Sequence, residues 1–235
     1  MHARFIISCE HGGNQIPDDY RLLFRGYESL LGSHRGLDSG ALQLANALAE
    51  RLGATLFTAT ISRLLVDLNR SIHHPHLFSE VTRTLSSNAR QEILARYYYP
   101  YRNTVETAIT EAIQHRNRVI HISAHSFTPI FNGKLRRADI GLLYDPSKPL
   151  ERTLCHDWQK ALKKTAPSLR IRRNYPYSGN ADGFTTYLRR RFPVNHYAGI
   201  ELEVNQKYFF TEQVRWPAVR STILDTLLKS TQTYR

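Results

Sequence analysis

The 235-residue sequence is poor in cysteine, and its only two, Cys9 and Cys155, have neither the number nor the spacing of a disulfide framework or a thiolate zinc cage. A reducing compartment is the natural expectation, and any metal must be held by histidine and carboxylate. Long apolar runs are missing as well. None approaches the ~18 to 20 residues that span a bilayer, and Met1-His2-Ala3-Arg4-Phe5 runs into a strand-like stretch without a signal-peptide core or cleavage site. The expectation is a soluble, cytoplasmic protein with no membrane partner. Acidic residues are outnumbered, 20 against 32 basic ones, for a formal charge of +12. The basic residues lie in short clusters such as Lys163-Lys164 and Arg189-Arg190-Arg191, with no long tail and no zinc-finger or RNP-type pattern. That argues against a nucleic-acid partner and leaves an anionic small molecule as the ligand the charge would suit.

What is present is enough for a core, with 41% hydrophobic residues and neither repeat, low-complexity tract nor linker. One domain over residues 1–235 is therefore expected. Phe5 to Cys9 reads as a short buried strand, and a helix follows Asp38 or Ser39, with Leu42, Ala45, Leu48, Ala49 and Leu52 at helical spacing before Gly53. Thr55 to Thr60 and Arg63 to Leu68 read as strands. Asn88 to Gln114 has helical periodicity, which Pro100 is expected to break or kink. Val119 to Ser123 is a central strand, followed by a strand at Asp139 to Tyr144 and a helix near Leu150 to Lys164. A basic strand at Leu169 to Arg172, a helix near Asp182 to Arg191, a strand at Gly199 to Val204 and a last amphipathic helix from Glu212 to about Ser230 complete the chain. Strands alternating with helices predict an α/β fold: a three-layer α/β/α domain with a mostly parallel or mixed central sheet.

In such sheets ligands bind beyond the carboxyl ends of the strands. Glu10 and His11 follow the first strand, Asn69 and Arg70 the Leu64 to Leu68 run, His125 and Ser126 the Val119 strand, and Glu203 stands near the end of the last. His11 precedes Gly12-Gly13, which lets the backbone turn sharply and a ligand approach closely; it suits a metal or oxyanion site, or a plain turn cap. Two histidines and a carboxylate with an open position is a common catalytic zinc arrangement. Asp38 can complete it with His11 and His125, although Asp38 also reads as a helix N-cap. His121 reads as a core residue and His73-His74-Pro75-His76 as a surface loop. Asn69-Arg70 suits a substrate carboxylate, Arg as a bidentate fork and Asn as a neutral donor, with Asp67 orienting one of them or forming a structural ion pair. Of Glu201 and Glu203, only one is expected to face the cleft, as the general base toward metal-activated water.

The run of motifs resembles the N-formylglutamate amidohydrolase family, a branch of the zinc carboxypeptidase-like α/β hydrolases, over nearly the whole chain. The resemblance is carried by Cys9-Glu10-His11-Gly12-Gly13-Asn14-Gln15-Ile16-Pro17, His34-Arg-Gly-Leu-Asp38-Ser-Gly40-Ala41, Ser62 to Arg70, His125-Ser126-Phe127-Thr128-Pro129, Gly141 to Tyr144, Asn174 to Ser178 and Glu203-Val-Asn-Gln206. It implies an α/β/α domain, a single zinc, and hydrolysis of the amide of an N-acyl amino acid such as N-formylglutamate. His11 and His125 carry over as zinc ligands. Zinc carboxypeptidases place a Glu three residues after the first His, where this chain has Asn14, so Asp38 is the candidate third ligand with Glu10 behind it. Glu203 matches the catalytic carboxylate, Asn69 with Arg70 the pair that holds a substrate carboxylate, and Arg63 and Ser126 lie in the matched segments as further substrate contacts. The other readings are an amidase or deacylase acting on larger acylated peptides, and a non-catalytic binder of acidic ligands.

Overall fold

The computed structural model describes residues 3–232. Met1 and His2, which precede the expected first strand, and Thr233 to Arg235 lie outside them. Strand β1 (Ala3–Cys9) pairs in parallel with β2 (Thr55–Thr58) on one side and β3 (Arg118–Phe127) on the other. β3 pairs in parallel with β8 (Tyr197–Asn205), β8 runs antiparallel to β6 (Ile140–Leu143), and β7 (Ile171–Arg173) closes the edge parallel to β6. The six strands lie in the order β2-β1-β3-β8-β6-β7, the mixed and mostly parallel sheet of an α/β fold. Two-residue strands β4 (Ile130–Phe131) and β5 (Lys134–Leu135) make a separate hairpin. Sequence reading missed it, although Asn132-Gly133, both at positive φ, is the usual signal of a tight hairpin turn.

Period-2 alternation gives the sheet two unlike faces. Phe5, Ile7 and Cys9 of β1, Ile120, Ile122 and Ala124 of β3, and Ile200, Leu202 and Val204 of β8 all join the main apolar core. That core is completed by α2 (Ala41–Leu52), α5 (Pro149–Thr165) and α8 (Trp216–Ser230). The alternate positions, Ser8, Glu10, His121, Ser123, His125, Glu201 and Glu203, carry a mostly buried polar stripe on the other face. There α4 (Tyr99–Gln114) and α6 (Phe184–Arg191) pack through Val105, Ile109, Phe184 and Leu188. Short helices α1 (Glu28–Leu31), α3 (Ser87–Ile93) and α7 (Lys207–Phe210) fill the periphery. No helix among the described residues is long and apolar enough to cross a membrane.

Two local expectations are corrected. The Leu64–Leu68 run is not a strand: its backbone closes on nearby groups, Leu65 N–H on Ser62 O and Arg70 N–H on Asp67 O. Its apolar side chains bury in a second cluster with Tyr20, Phe24, Leu77, Ile93 and Tyr98. A short apolar run reports burial, and here burial is reached in a loop. Pro100 does not interrupt the helix either. A π turn, Leu94–Tyr98, joins α3 to α4, and Pro100 falls in the first turn of α4, where a missing N–H costs little.

Candidate metal and catalytic site

The carboxyl ends of β1, β3 and β8 meet the loop before α2 and the irregular segment around residues 62–70 in one cavity of about 940 Å³. It is lined by His11, Asp38, Arg63, Asp67, Asn69, Arg70, His125, Ser126, Glu201 and Glu203, among others. His11 is held where it is because the loop after β1 lies flat against the one after β2. Gly12 N–H donates to Ala59 O at 2.9 Å, and a Cβ on Gly12 would stand 3.0 Å from that oxygen. Asp38 is not the cap of α2. That position is Gly40, at φ +80° and against the Phe209 ring, a conformation and a closeness that glycine alone meets without strain. The Asp38 side chain is thereby left for the histidines.

His11 Nδ1 lies 3.4 Å and His125 Nδ1 2.8 Å from the same oxygen, Asp38 Oδ2. The three residues are buried, and their ligand atoms lie within 4.8 Å of one another. Each ring's other nitrogen faces a second carboxylate. His11 Nε2 sits 2.8 Å from Asp67 Oδ1, and His125 Nε2 sits 3.2 Å from Glu10 Oε2 and 2.8 Å from Ser123 Oγ. A carboxylate behind the imidazole fixes the tautomer that turns the remaining lone pair toward a metal. The donor set therefore fits zinc: two imidazoles, which would lose their protons on ligation, and a carboxylate, with both rings oriented from behind.

The charges agree with that use. Burial alone would raise the Asp38 and Glu10 carboxyls, but His11 and His125 beside Asp38, and His125 and Ser123 beside Glu10, hold both far below the usual range. Asp67 is likewise held down against its burial, first by Arg63 and then by His11. Burial lowers the basicity of His125, but its bonds to Asp38 and Glu10 outweigh this and raise it. Three ionised carboxylates packed in the interior call for positive charge at their centre.

Glu203 stands opposite His125 in the β3–β8 ladder. Its Oε2 is buried without a hydrogen-bond partner among the described residues. Burial pushes its pKa up to about 8, with Asp38 and Glu201 adding and His125 opposing. Glu201 does not point away from the cavity as expected. Two residues apart in a strand is the same face, and both carboxylates border the cavity. Glu201 is instead engaged by Thr185 Oγ1, which donates to its Oε1 at 2.9 Å.

Asn69 and Arg70 reach the cavity from the α4–α6 side. Asn69 Oδ1 accepts from Phe184 N–H at 2.6 Å, Arg70 Nη1 donates to Asp182 O at 3.0 Å, and the Arg70 carbonyl accepts from Tyr98 Oη. Asn69 Nδ2 is thereby turned outward from the α6 cap. Arg63 donates to Asp67 Oδ2 through Nη2 at 2.7 Å and to Asp38 Oδ1 through Nη1 at 3.3 Å, so it braces the two carboxylates. Ser126 donates to Ser39 O and accepts from Gln206 Nε2. His121 is a core residue bonded to Ser8 Oγ and Tyr197 Oη. His73 and His76 are exposed, and His76 reaches the cavity rim. Asp67 and Glu10 were not legible as the orienting partners of the two histidines. The signal available was only that each ligand histidine needs an acceptor behind it.

No curated protein matches the chain significantly. Among solved structures, a gene product of Agrobacterium tumefaciens is 27% identical over 97% of this chain and 90% of its own, with a TM-score of 0.82. The N-formylglutamate amidohydrolase of Ralstonia eutropha is 20% identical over 100% of this chain and 95% of its own, with a TM-score of 0.73, and shares the fold. The N-formylglutamate amidohydrolase family matches residues 3–210, nearly the whole chain, and with the geometry above it settles the membership: the chain belongs to the N-formylglutamate amidohydrolase family.

Proposed function

We propose that the protein is a zinc-dependent amidohydrolase that cleaves the amide of an N-acyl amino acid such as N-formylglutamate, acting in the reducing cytoplasm as a single domain. The observation that carries this reading is the convergence of His11 Nδ1 and His125 Nδ1 on Asp38 Oδ2, in one cavity with the unpartnered Glu203 oxygen. His11, Asp38 and His125 hold the ion. When bound, zinc supplies Lewis-acid polarisation of the amide carbonyl and makes water acidic enough to deprotonate near neutral pH. Glu203 takes the water's proton and hands it to the leaving amine. The added positive charge at the triad favours the ionised Glu203 that this role needs. Asn69 Nδ2 and Arg70 clamp the substrate carboxylate, while Arg63 and Ser126, whose bonds are made within the protein, shape the wall beside it.

The test is metal content and turnover of purified, untagged protein. One zinc per chain, release of the acid and the free amino acid, loss of activity with chelator and recovery with zinc are expected. Zinc-free protein that binds N-formylglutamate without cleaving it would overturn the hydrolytic reading in favour of a binder of acidic ligands.

A further inference from the structure

The segment that carries Asn69 and Arg70 has no partner strand, so its buried carbonyls must find donors elsewhere. One side chain of α4 serves two of them. Arg102 Nη1 donates to Leu68 O at 2.9 Å and to Arg70 O at 3.4 Å, so the Asn69–Arg70 pair lies between two carbonyls held by a single guanidinium. Tyr98 Oη adds a bond to Arg70 O at 2.8 Å. Arg102 is only 5% exposed, and no carboxylate is bonded to it among the described residues. Burial accordingly pulls its pKa below the ordinary arginine value. A cation so placed costs more to bury than an apolar side chain of similar length, so packing alone does not account for its charge. That charge is met by aromatic faces. The guanidinium carbon lies 4.9 Å from the Tyr98 ring centre, 4.2 Å from that of Phe184 and 4.7 Å from that of Tyr187. Tyr98 and Arg102 are four residues apart on one continuous helical stretch, and Phe184 and Tyr187 three apart on α6, spacings that put each pair on one face.

The same segment is tied down on its other sides. Phe184 N–H donates to Asn69 Oδ1 at 2.6 Å, while Asp182 accepts from Ser71 N–H through Oδ2 and from Arg70 Nη1 through its carbonyl. Asn69 N–H donates to Asp67 Oδ1 at 3.0 Å, the oxygen that faces His11. Asn69 and Arg70 are thus fixed to the metal group through Asp67 and to α4 through Arg102, which does not itself border the cavity. We propose that Arg102 is a positioning residue for substrate recognition: it sets the main-chain path of residues 68–70 so that Asn69 Nδ2 and the Arg70 fork meet the substrate's carboxylate. The inference rests on the carboxylate clamp of the hydrolytic reading above. A side chain acting in this way alters discrimination between substrates, whereas one that only packs α4 on α6 lowers activity on all of them alike.

The experiment measures kcat and KM of zinc-loaded wild type, Arg102→Met and Arg102→Lys for N-formylglutamate and for its α-carboxamide, beside zinc content and thermal unfolding. Arg102→Met keeps the length and loses the charge and both bonds. Its kcat/KM should fall about tenfold or more for the acid, mostly through KM, and far less for the amide, with zinc content unchanged. Arg102→Lys keeps charge and donors without the flat face and should retain part of the acid preference; it carries the comparison if Arg102→Met does not fold. Equal losses on acid and amide in a folded variant, or an acid preference as large as that of wild type in both, overturn the positioning role and leave the clamp standing. Wild type that cleaves acid and amide equally overturns the clamp and this inference with it. Absence of turnover on either substrate overturns the hydrolytic reading and all that rests on it.

Discussion

Asp67 Oδ1 lies 2.8 Å from His11 Nε2, and the carboxylate's other oxygen takes Arg63 at 2.7 Å, so the group that orients a metal ligand is itself fixed by a half-buried cation. Asp67→Asn keeps the shape but loses the charge that raises ligand basicity and fixes the tautomer. Zinc affinity should fall about 10- to 100-fold, read by competition with a chromophoric chelator. An unchanged affinity would show that the bond only packs the loop.

His11→Ala and His125→Ala each remove one of three protein ligands. Zinc stoichiometry should drop well below one per chain and turnover should vanish, by elemental analysis of dialysed protein beside an activity assay. Full zinc retention in both variants would refute the triad.

For the carboxylate clamp, Arg70→Lys replaces a fork by a point charge. A loss on the order of 1.5 to 3 kcal/mol in transition-state stabilisation is expected, as a fall in kcat/KM. Substrates with an amidated α-carboxylate should be poor; equal rates on acid and amide would show that Arg70 serves only its bond to Asp182 O.

Glu203→Gln cannot accept a proton and should lose ~10²- to 10⁴-fold in kcat while keeping zinc and fold. Glu201→Gln, already engaged by Thr185, should lose far less. The reverse pattern would mean that Glu201 is the base.

Buried His121, which bonds Ser8 and Tyr197 and is not one of the metal-ligand candidates, carries its own pH dependence of stability. Burial depresses its pKa from 6.5 to about 4. Above pH 6.5 folded and unfolded chains are both neutral there and the contribution is complete. As pH falls from 6.5 toward 4 only the unfolded chain takes the proton, and stability drops by up to about 3 kcal/mol. His121→Gln, uncharged throughout, should flatten that part of the curve of unfolding free energy against pH. An equal slope in both proteins would assign the acid sensitivity to other groups.

The sheet was legible where its physics is local. β1 and β3 each hold a short apolar stretch, Phe5-Ile6-Ile7 and Val119-Ile120, and the apolar alternation of β8 assigns one face to the core without knowledge of any neighbour. His11, Asp38 and His125 stood out because strand ends and helix entries are where ligand groups gather. The Leu64–Leu68 segment misled because the apolar run carries no record of whether a partner strand exists to receive its backbone. Glu201 was misplaced by an error of parity, since residues i and i+2 share a face. Asp67 lies 56 residues from His11, and its role was illegible because nothing in the local sequence marks a bond across that span.

Asp38 Oδ2 gathers two rings that lie 27 and 87 residues away along the chain. An ion seated among the three would act as a cross-link as much as a reagent, closing two long loops at one point. Since loop-closure entropy grows with the length enclosed, and a ligand that binds only the folded chain stabilises it by mass action, the loops around residues 12–37 and 59–86 should be the segments that protease reaches first when zinc is withdrawn. Metal supply would then set the lifetime of the protein in the cell together with its rate.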